Sequence, residues 1–454
     1  MSEYRTLDPS NGNLVERFAL AGEEEIESAL DAAAVAFGAN RIRGFEERGR
    51  ILREVARQLE ARVDDFAQLM ALEMGKPLAQ GRAEAEKCAW VCEYYAEHAA
   101  AHLAAEPRES DGSEARVQFD PLGVVLAIMP WNFPFWQVFR FAAPAIAAGN
   151  AVVLKHAPNT PRCALAIEEM FARAGERALL LSLFLDNEQA ARVIGDPRIH
   201  AVTLTGSSRA GRAVASTAGR HLKPSVLELG GSDAFLVLDD ADLERAVEVG
   251  VASRCLNGGQ SCIAAKRFVV QASCYAEYRD AFVERMRGQR VGPPTDSDTQ
   301  IGPLARADLR DGLARQVEGA LGQGATALCG GRPVDGPGFY YTPTVLDGVT
   351  ETMDAFRQEL FGPVAVLYRA EDDDEMLEIA NATPYGLGAS VWTRDNDRAG
   401  RFARDLQCGS VFVNGLVKSD PRLPFGGIKD SGYGRELSRE GMREFVNVKT
   451  VWVA

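Results

Sequence analysis

Apolar residues recur every three or four positions over 23–37, where Ile26, Leu30, Ala33 and Phe37 share one face. This spacing predicts an amphipathic helix. The same period predicts a longer helix over 45–74, stopped by Gly75-Lys76-Pro77, and another over 83–104 with Cys88 and Cys92 on one packing face. Residues 1–22 read as an extended lead-in. From 124 the pattern changes. Apolar runs at 124–128, 151–155, 201–205 and 226–229 alternate with helical stretches over 135–148, 161–174 and 208–218. Short apolar strands between helices predict a parallel sheet covered on both faces. A second alternating region, 235–414, carries strands at 235–238, 364–368 and 410–413. The polar stretch 105–120 reads as a projecting hairpin. The run 445–453 reads as a strand that pairs with it or with a neighbouring subunit.

In open parallel sheets, ligands bind at the carboxyl ends of the strands. Lys155, Thr205-Gly206-Ser207 and Glu228 all fall there. With 454 residues the chain has room for two or three domains. Its formal charge of −14 argues against nucleic acid or an anionic membrane as main partner, and an anionic substrate needs a local cation. No secretory pattern opens the sequence, and no apolar run is long enough to span a bilayer. The eight cysteines form no CxxC pair and the five histidines show no zinc spacing. The expectation is a cytoplasmic, reduced protein without a metal.

Candidate chemistry centres on Cys262, which follows Gly258-Gly259 and precedes the buried run Phe268-Val269-Val270. Lys266 and Arg267 are expected to favour its thiolate, the nucleophilic form. Glu228, at an apolar strand end before Gly230-Gly231, suits a general base with a raised pKa. Asn132, after the first apolar strand, offers an amide N–H to an oxyanion. Gly206 and Gly211, between a strand and a helix, offer a phosphate cradle. Taken singly, each of these fits a plain structural role equally well: a buried cysteine, a paired glutamate, a turn asparagine, a strand-helix turn.

Seven motifs stand in order: Pro130-Trp131-Asn132-Phe133-Pro134, Lys155 with Thr160-Pro161, Thr205-Gly206-Ser207, Glu228-Leu229-Gly230-Gly231, Gly259-Gln260-Ser261-Cys262, Glu359-Leu360-Phe361-Gly362-Pro363 and Pro424-Phe425-Gly426-Gly427-Ile428-Lys429. Together they resemble the aldehyde dehydrogenase superfamily from near residue 5 onward. Local signatures resemble its short bacterial succinate-semialdehyde dehydrogenases: Leu154-Lys155-His156-Ala157-Pro158-Asn159 and Leu227 through Asp233.

The resemblance implies an α/β fold with a Rossmann-like cofactor domain (1–102 and 122–230), a catalytic domain (231–430) and a small β oligomerisation element (103–121 and 431–454). It implies Cys262 as nucleophile, Glu228 as base, and Asn132 with the Cys262 backbone N–H as oxyanion donors. It places NAD or NADP against Trp131, Lys155, Pro158, Thr205, Gly206, Ser207, Glu359 and Phe361. Many NAD-preferring members carry a glutamate where this chain has Pro158, so NADP is expected to be accepted. For an acidic aldehyde the resemblance points to Arg140 as carboxylate anchor, with Ser419 adding a hydroxyl and Trp136 and Phe425 as walls. The second arginine of some relatives is replaced by Leu256, with Arg254 offset nearby. Ala264 stands where some relatives place a second cysteine.

The expected reaction is oxidation of succinate semialdehyde by a homodimer or homotetramer. The alternatives are a broad aliphatic or aromatic aldehyde dehydrogenase, in which Arg140 is structural, and a non-catalytic binding protein of the same fold. Glu228, able to drive hydrolysis, argues against an acylating, coenzyme A-dependent reductase.

Overall fold

The computed structural model describes residues 3–454. Two open sheets organise the chain. The first has six strands, in the order Gly432–Tyr433, Ser225–Glu228, Ile199–Thr205, Val124–Ile128, Ala151–Lys155 and Leu180–Ser182. All are parallel except Gly432–Tyr433, which runs antiparallel to Ser225–Glu228. The second has seven, in the order Thr326–Cys329, Thr344–Asp347, Val364–Ala370, Arg267–Gln271, Ala234–Val237, Gly388–Trp392 and Ser410–Val413. Only Thr326–Cys329 is antiparallel there. Helices cover both sheets, so the central strands are apolar, as in Val124, Val125, Leu126 and Ala127, all fully buried.

Register aligns the strand ends of the first sheet. Ile128 faces Lys155 on one side and Leu204 on the other, and Thr205 faces Glu228. The segments that leave these ends therefore share one edge.

Several elements differ from the periodicity reading. Residues 3–19 form a hairpin of Glu3–Leu7 and Leu14–Ala19 rather than a plain extended segment. The stretch expected as one helix over 45–74 is two, Phe45–Ala61 and Val63–Met74, separated at Arg62 (φ −123°, ψ 25°). Asp64 and Asp65 follow the break, where acidic side chains favour a new helix N-terminus. Strands at Leu180–Ser182, Thr326–Cys329, Thr344–Asp347 and Gly388–Trp392 are too short or too interrupted by polar residues to stand out in sequence.

A third sheet joins Glu106–Pro107, Glu114–Pro121 and Val446–Val453, all antiparallel. The last strand thus finds its partner within its own chain. The stretch 431–445 does not belong with this element. Gly432–Tyr433 extends the first sheet, and helix Ser438–Arg443 packs on helix Trp136–Ala148. The reason is local: Leu229 N–H donates to the Ser431 carbonyl at 3.0 Å, which locks 431–433 beside the Glu228 strand.

Candidate active site

Helix Leu243–Cys255 ends in a short turn, Leu256–Gly259, that delivers Cys262. Asn257, Gly258 and Gly259 all have positive φ, of 55°, 63° and 75°. At Gly259 a Cβ would lie 2.3 Å from the Gly362 carbonyl carbon, so glycine is required for the 361–363 loop to pack there. The buried Arg254 donates to the Gly259 carbonyl at 2.5 Å and braces this turn.

The Asn132 loop meets the cysteine turn directly. Asn132 Nδ2 donates to the Gln260 carbonyl at 3.0 Å, and Asn257 Nδ2 donates to the Asn132 carbonyl at 2.6 Å. Two buried groups that the sequence did not single out hold the Asn132 loop from behind. Glu84 accepts from the Phe135 and Trp136 N–H groups, each at 2.9 Å, while ion-paired to the buried Lys76. His156 meets the Pro134 carbonyl through Nε2 at 2.8 Å. An amide with two N–H bonds and one partner keeps a donor in hand for an oxyanion.

Of the two cations expected to favour the Cys262 thiolate, Lys266 does lower its pKa, though burial outweighs it, and Arg267 points away. Lys266 Nζ donates to the backbone carbonyls of Ser261, Cys262 and Ala264, at 2.9, 2.8 and 3.1 Å. The Arg267 guanidinium points elsewhere, to the carbonyls of Ser232, Ile379 and Ala380. Burial dominates, and pushes the Cys262 thiol up to about 12 against the attraction of Arg140 and Lys266. The thiol is therefore protonated in the unliganded protein near neutral pH. Cys255 packs against Met286, with Sγ 3.6 Å from Sδ, in a different core from Cys262. All eight cysteines are free thiols.

Glu228 is 2% exposed, and neither carboxylate oxygen has a hydrogen-bond partner. Burial raises its pKa well above the carboxylate range, and neighbouring Glu436 adds to this, against Arg140 and Arg435. Gly426 makes room for it, since a Cβ there would come within 2.7 Å of Oε1. Glu436 was not singled out in sequence.

Next to Cys262 lies a cavity of about 320 Å³. Phe133, Trp136 and Phe425 wall it, and Lys87, Arg140 and Ser419 bring polar atoms to it. Leu256 also lines it, so no second arginine enters there. Arg140 differs from its expected role. It is ion-paired with Glu436 in the interior, with both side chains no more than 2% exposed, lies 4.5 Å from the Phe425 ring centroid, and contacts Thr205 Oγ1 at 3.4 Å.

On the other side of the cysteine turn, Trp131 and Phe361 meet edge to face at 5.9 Å. Glu359 accepts from the Gly231 N–H at 3.2 Å and approaches Lys266 at 3.4 Å. At Gly230 a Cβ would meet the Glu359 carboxylate at 2.6 Å. Lys155 ends its strand with its ammonium 5.9 Å from the Tyr4 ring centroid, and no carboxylate pairs with it among the described residues. Burial lowers its pKa to about 8. Pro158 takes part through its carbonyl, which accepts from Arg5 N–H at 3.0 Å. Gly206 N–H donates to the Glu228 carbonyl at 2.9 Å, and the Ser207 hydroxyl caps helix Ser208–Arg220. Thr205 turns toward Arg140 instead of the open edge. An unpaired lysine beside a helix N-terminus, with no acid at 158, fits a phosphorylated dinucleotide.

A half-buried cysteine whose turn is bonded by an amide donor, a separate buried carboxylate and a dinucleotide-compatible sheet edge fit a thiol-dependent oxidoreductase. The profile described as the aldehyde dehydrogenase family matches residues 1–451, and the chain belongs to that family. It is similar to succinate-semialdehyde dehydrogenase [NADP(+)] 1 of Mycobacterium bovis (strain BCG / Pasteur 1173P2), at 49% identity over 99% of each chain. It is equally similar, at 49% identity over 99% of each chain, to the probable succinate-semialdehyde dehydrogenase [NADP(+)] of Synechocystis sp. (strain ATCC 27184 / PCC 6803 / Kazusa). Among solved structures, succinic semialdehyde dehydrogenase from Streptococcus pyogenes in complex with NADP+ superposes with a TM-score of 0.97 at 37% identity, over 99% of both chains. The protein is thus an aldehyde-oxidising enzyme of α/β fold.

Proposed function

We propose that the enzyme oxidises succinate semialdehyde to succinate, preferring NADP. The observation that carries this reading is an apolar cavity beside Cys262 into which basic side chains reach, in a chain with a net charge of −14. Relatives of nearly the same length named for this activity support it.

In this reading Cys262 gives its proton to solvent and adds to the aldehyde carbon, and the oxygen takes the charge beside Asn132 and the Cys262 N–H. The nicotinamide, when bound, supplies the acceptor for the hydride. Loss of hydride leaves a thioester on Cys262. Glu228 turns from Gly426 toward the thioester and takes a proton from the attacking water, and the acid departs as the thiolate is released. Lys155, Gly206 and Ser207 would hold the phosphorylated end of the cofactor. Glu359 would hold the ribose next to the nicotinamide, and Trp131 and Phe361 would flank it.

The test is reduced-nicotinamide formation with succinate semialdehyde, acetaldehyde and benzaldehyde, with NADP and NAD in parallel. A strong preference for the acidic aldehyde with NADP is expected. Equal or faster turnover of the neutral aldehydes refutes the substrate reading and leaves the mechanism standing. One observation favours that second reading, a broad-specificity aldehyde dehydrogenase: Glu436 already neutralises Arg140.

We also propose that copies of the chain associate through the third sheet, where Val448 and Trp452 are 62% and 50% exposed. Eight free thiols support residence in a reducing compartment, the cytoplasm.

A further inference from the structure

Lys266 is fixed just before strand Arg267–Gln271. Its N–H donates to the Asp233 carbonyl at 3.0 Å, and its carbonyl accepts from the Val366 N–H at 2.9 Å. From this anchored backbone the side chain folds back on the segment before it. It is 1% exposed, and its three ammonium donors go to the carbonyls of Ser261, Cys262 and Ala264. Glu359 Oε1, at 3.4 Å, supplies the counter-charge. Burying an ammonium is costly, and a neutral donor satisfies a carbonyl at less cost. A charge at this place calls for a reason beyond loop closure.

Peptide geometry supplies one. A trans peptide is planar, and its N–H points opposite to its C=O. The Ser261 carbonyl faces Lys266, so the Cys262 N–H, at the other end of the same peptide, faces away from it. Lys266 does not line the cavity, whereas Ser261 and Cys262 do. Among the described residues no atom of the chain accepts from the Cys262 N–H. The same rule is visible further along the segment. There the Ala264 carbonyl faces Lys266, and the Ala265 N–H at the far end of that peptide donates to Ser253 Oγ at 3.1 Å. A cation on a carbonyl also polarises the peptide and strengthens its N–H as a donor.

We propose that Lys266 is a positioning residue for the oxyanion site: by holding the Ser261 carbonyl it turns the Cys262 N–H toward the cavity and strengthens it as a donor. This rests on the reading of Cys262 as nucleophile and of its N–H, with Asn132, as oxyanion donors, and names the group that aims one of them.

Lys266 also favours the Cys262 thiolate. A charge that acted only on the thiol would change every reaction of the sulfur alike. An aimed N–H matters only where a carbonyl oxygen takes up charge.

The experiment compares two reactions of Cys262 in the cofactor-free protein. With iodoacetamide the sulfur displaces iodide from a saturated carbon, and no oxyanion forms. With p-nitrophenyl acetate it adds to a carbonyl, p-nitrophenolate leaves, and the acetyl group stays on sulfur. The ratio of the two rate constants, ester over iodoacetamide, cancels the thiolate fraction, and the p-nitrophenolate burst counts the folded sites. Asn132→Ala should lower the ratio roughly 100-fold, the loss expected for one oxyanion donor. Lys266→Met should lower it roughly tenfold or more, and kcat for aldehyde oxidation with it. Lys266→Arg, which keeps the charge and the donors, should stay within about threefold of the wild type. Lys266→Gln, a neutral donor, should fall between the two and carries the test where Lys266→Met gives no burst. An unchanged ratio in Lys266→Met, or in Lys266→Gln in its place, overturns the proposal. So does a ratio that Lys266→Arg lowers as far as Lys266→Met, which marks a packing role. A wild type without a burst, or an unchanged ratio in Asn132→Ala, overturns the nucleophile or the oxyanion reading, and the assignment of Lys266 with it.

Discussion

Burial is the largest influence on the protonation of Cys262 and Glu228, the two groups proposed to ionise during turnover. Cys262 is held up to about 12, so below that value each unit of rising pH increases the thiolate fraction about tenfold. Alkylation of the cofactor-free protein by iodoacetamide should accordingly accelerate about tenfold per unit between pH 7 and 9 without a plateau, and Cys262→Ala should abolish turnover. A plateau near pH 7 would show an activated thiolate. Glu228 gives a stability signature. Its folded pKa is raised, so its contribution is fully present below its unfolded pKa and is lost as pH rises toward the folded value. Glu228→Gln removes the charge that must be desolvated. It should raise Tm by a few degrees at pH 8 and less at pH 5, measured by calorimetry, while stalling hydrolysis of the thioester. Cys262 and Glu228 stood out in the sequence because short glycine-bearing motifs flank them, and Asn132 because it lies in Pro130-Trp131-Asn132-Phe133-Pro134. Lys87 and Glu436 did not. The hydrogen bond from Lys87 to Ser419 spans 332 positions, and no local spacing announces it.

At the scale of elements, the helix Leu78–His102 links the cavity beside Cys262 to the Asn132 loop. One turn of it carries Glu84 toward the N-terminus of helix Trp136–Ala148, and the next carries Lys87 toward the cavity. Glu84→Ala leaves Lys76 buried without a partner and strips the helix start of its acceptor. A loss of roughly 3–5 kcal/mol in urea unfolding is expected, together with a fall in kcat as Asn132 loses its backing. Glu84→Gln should recover the cap and only part of the stability. Helices and apolar strands were legible from period alone, including Val124–Ile128 and Ala151–Lys155. Breaks within them were less so. The step at Arg62 leaves the three-to-four spacing intact, and Thr326–Cys329 is a four-residue edge strand with polar ends.

For the whole molecule, the strands form separate sheets, and the sheet of Glu106–Pro107, Glu114–Pro121 and Val446–Val453 carries the exposed Val448 and Trp452. Val448→Lys combined with Trp452→Lys should lower the mass seen by light scattering to that of one chain, 49.2 kDa, if this face joins subunits. Unchanged mass would move the interface elsewhere. Sheet order follows from long-range pairing, so sequence reading placed the strands without their neighbours.

That pairing bears on the order of synthesis. The Ser431 hydroxyl bonds the Gly230 carbonyl from 201 positions away, and Gly432–Tyr433 closes the strand that carries Glu228. A nascent chain still threaded in the ribosome at residue 420 holds Cys262 and Glu228 but lacks the segment that closes the Glu228 strand. The arrangement that seats Glu228 should therefore form in one step, late in translation, once residues 431–433 have been made.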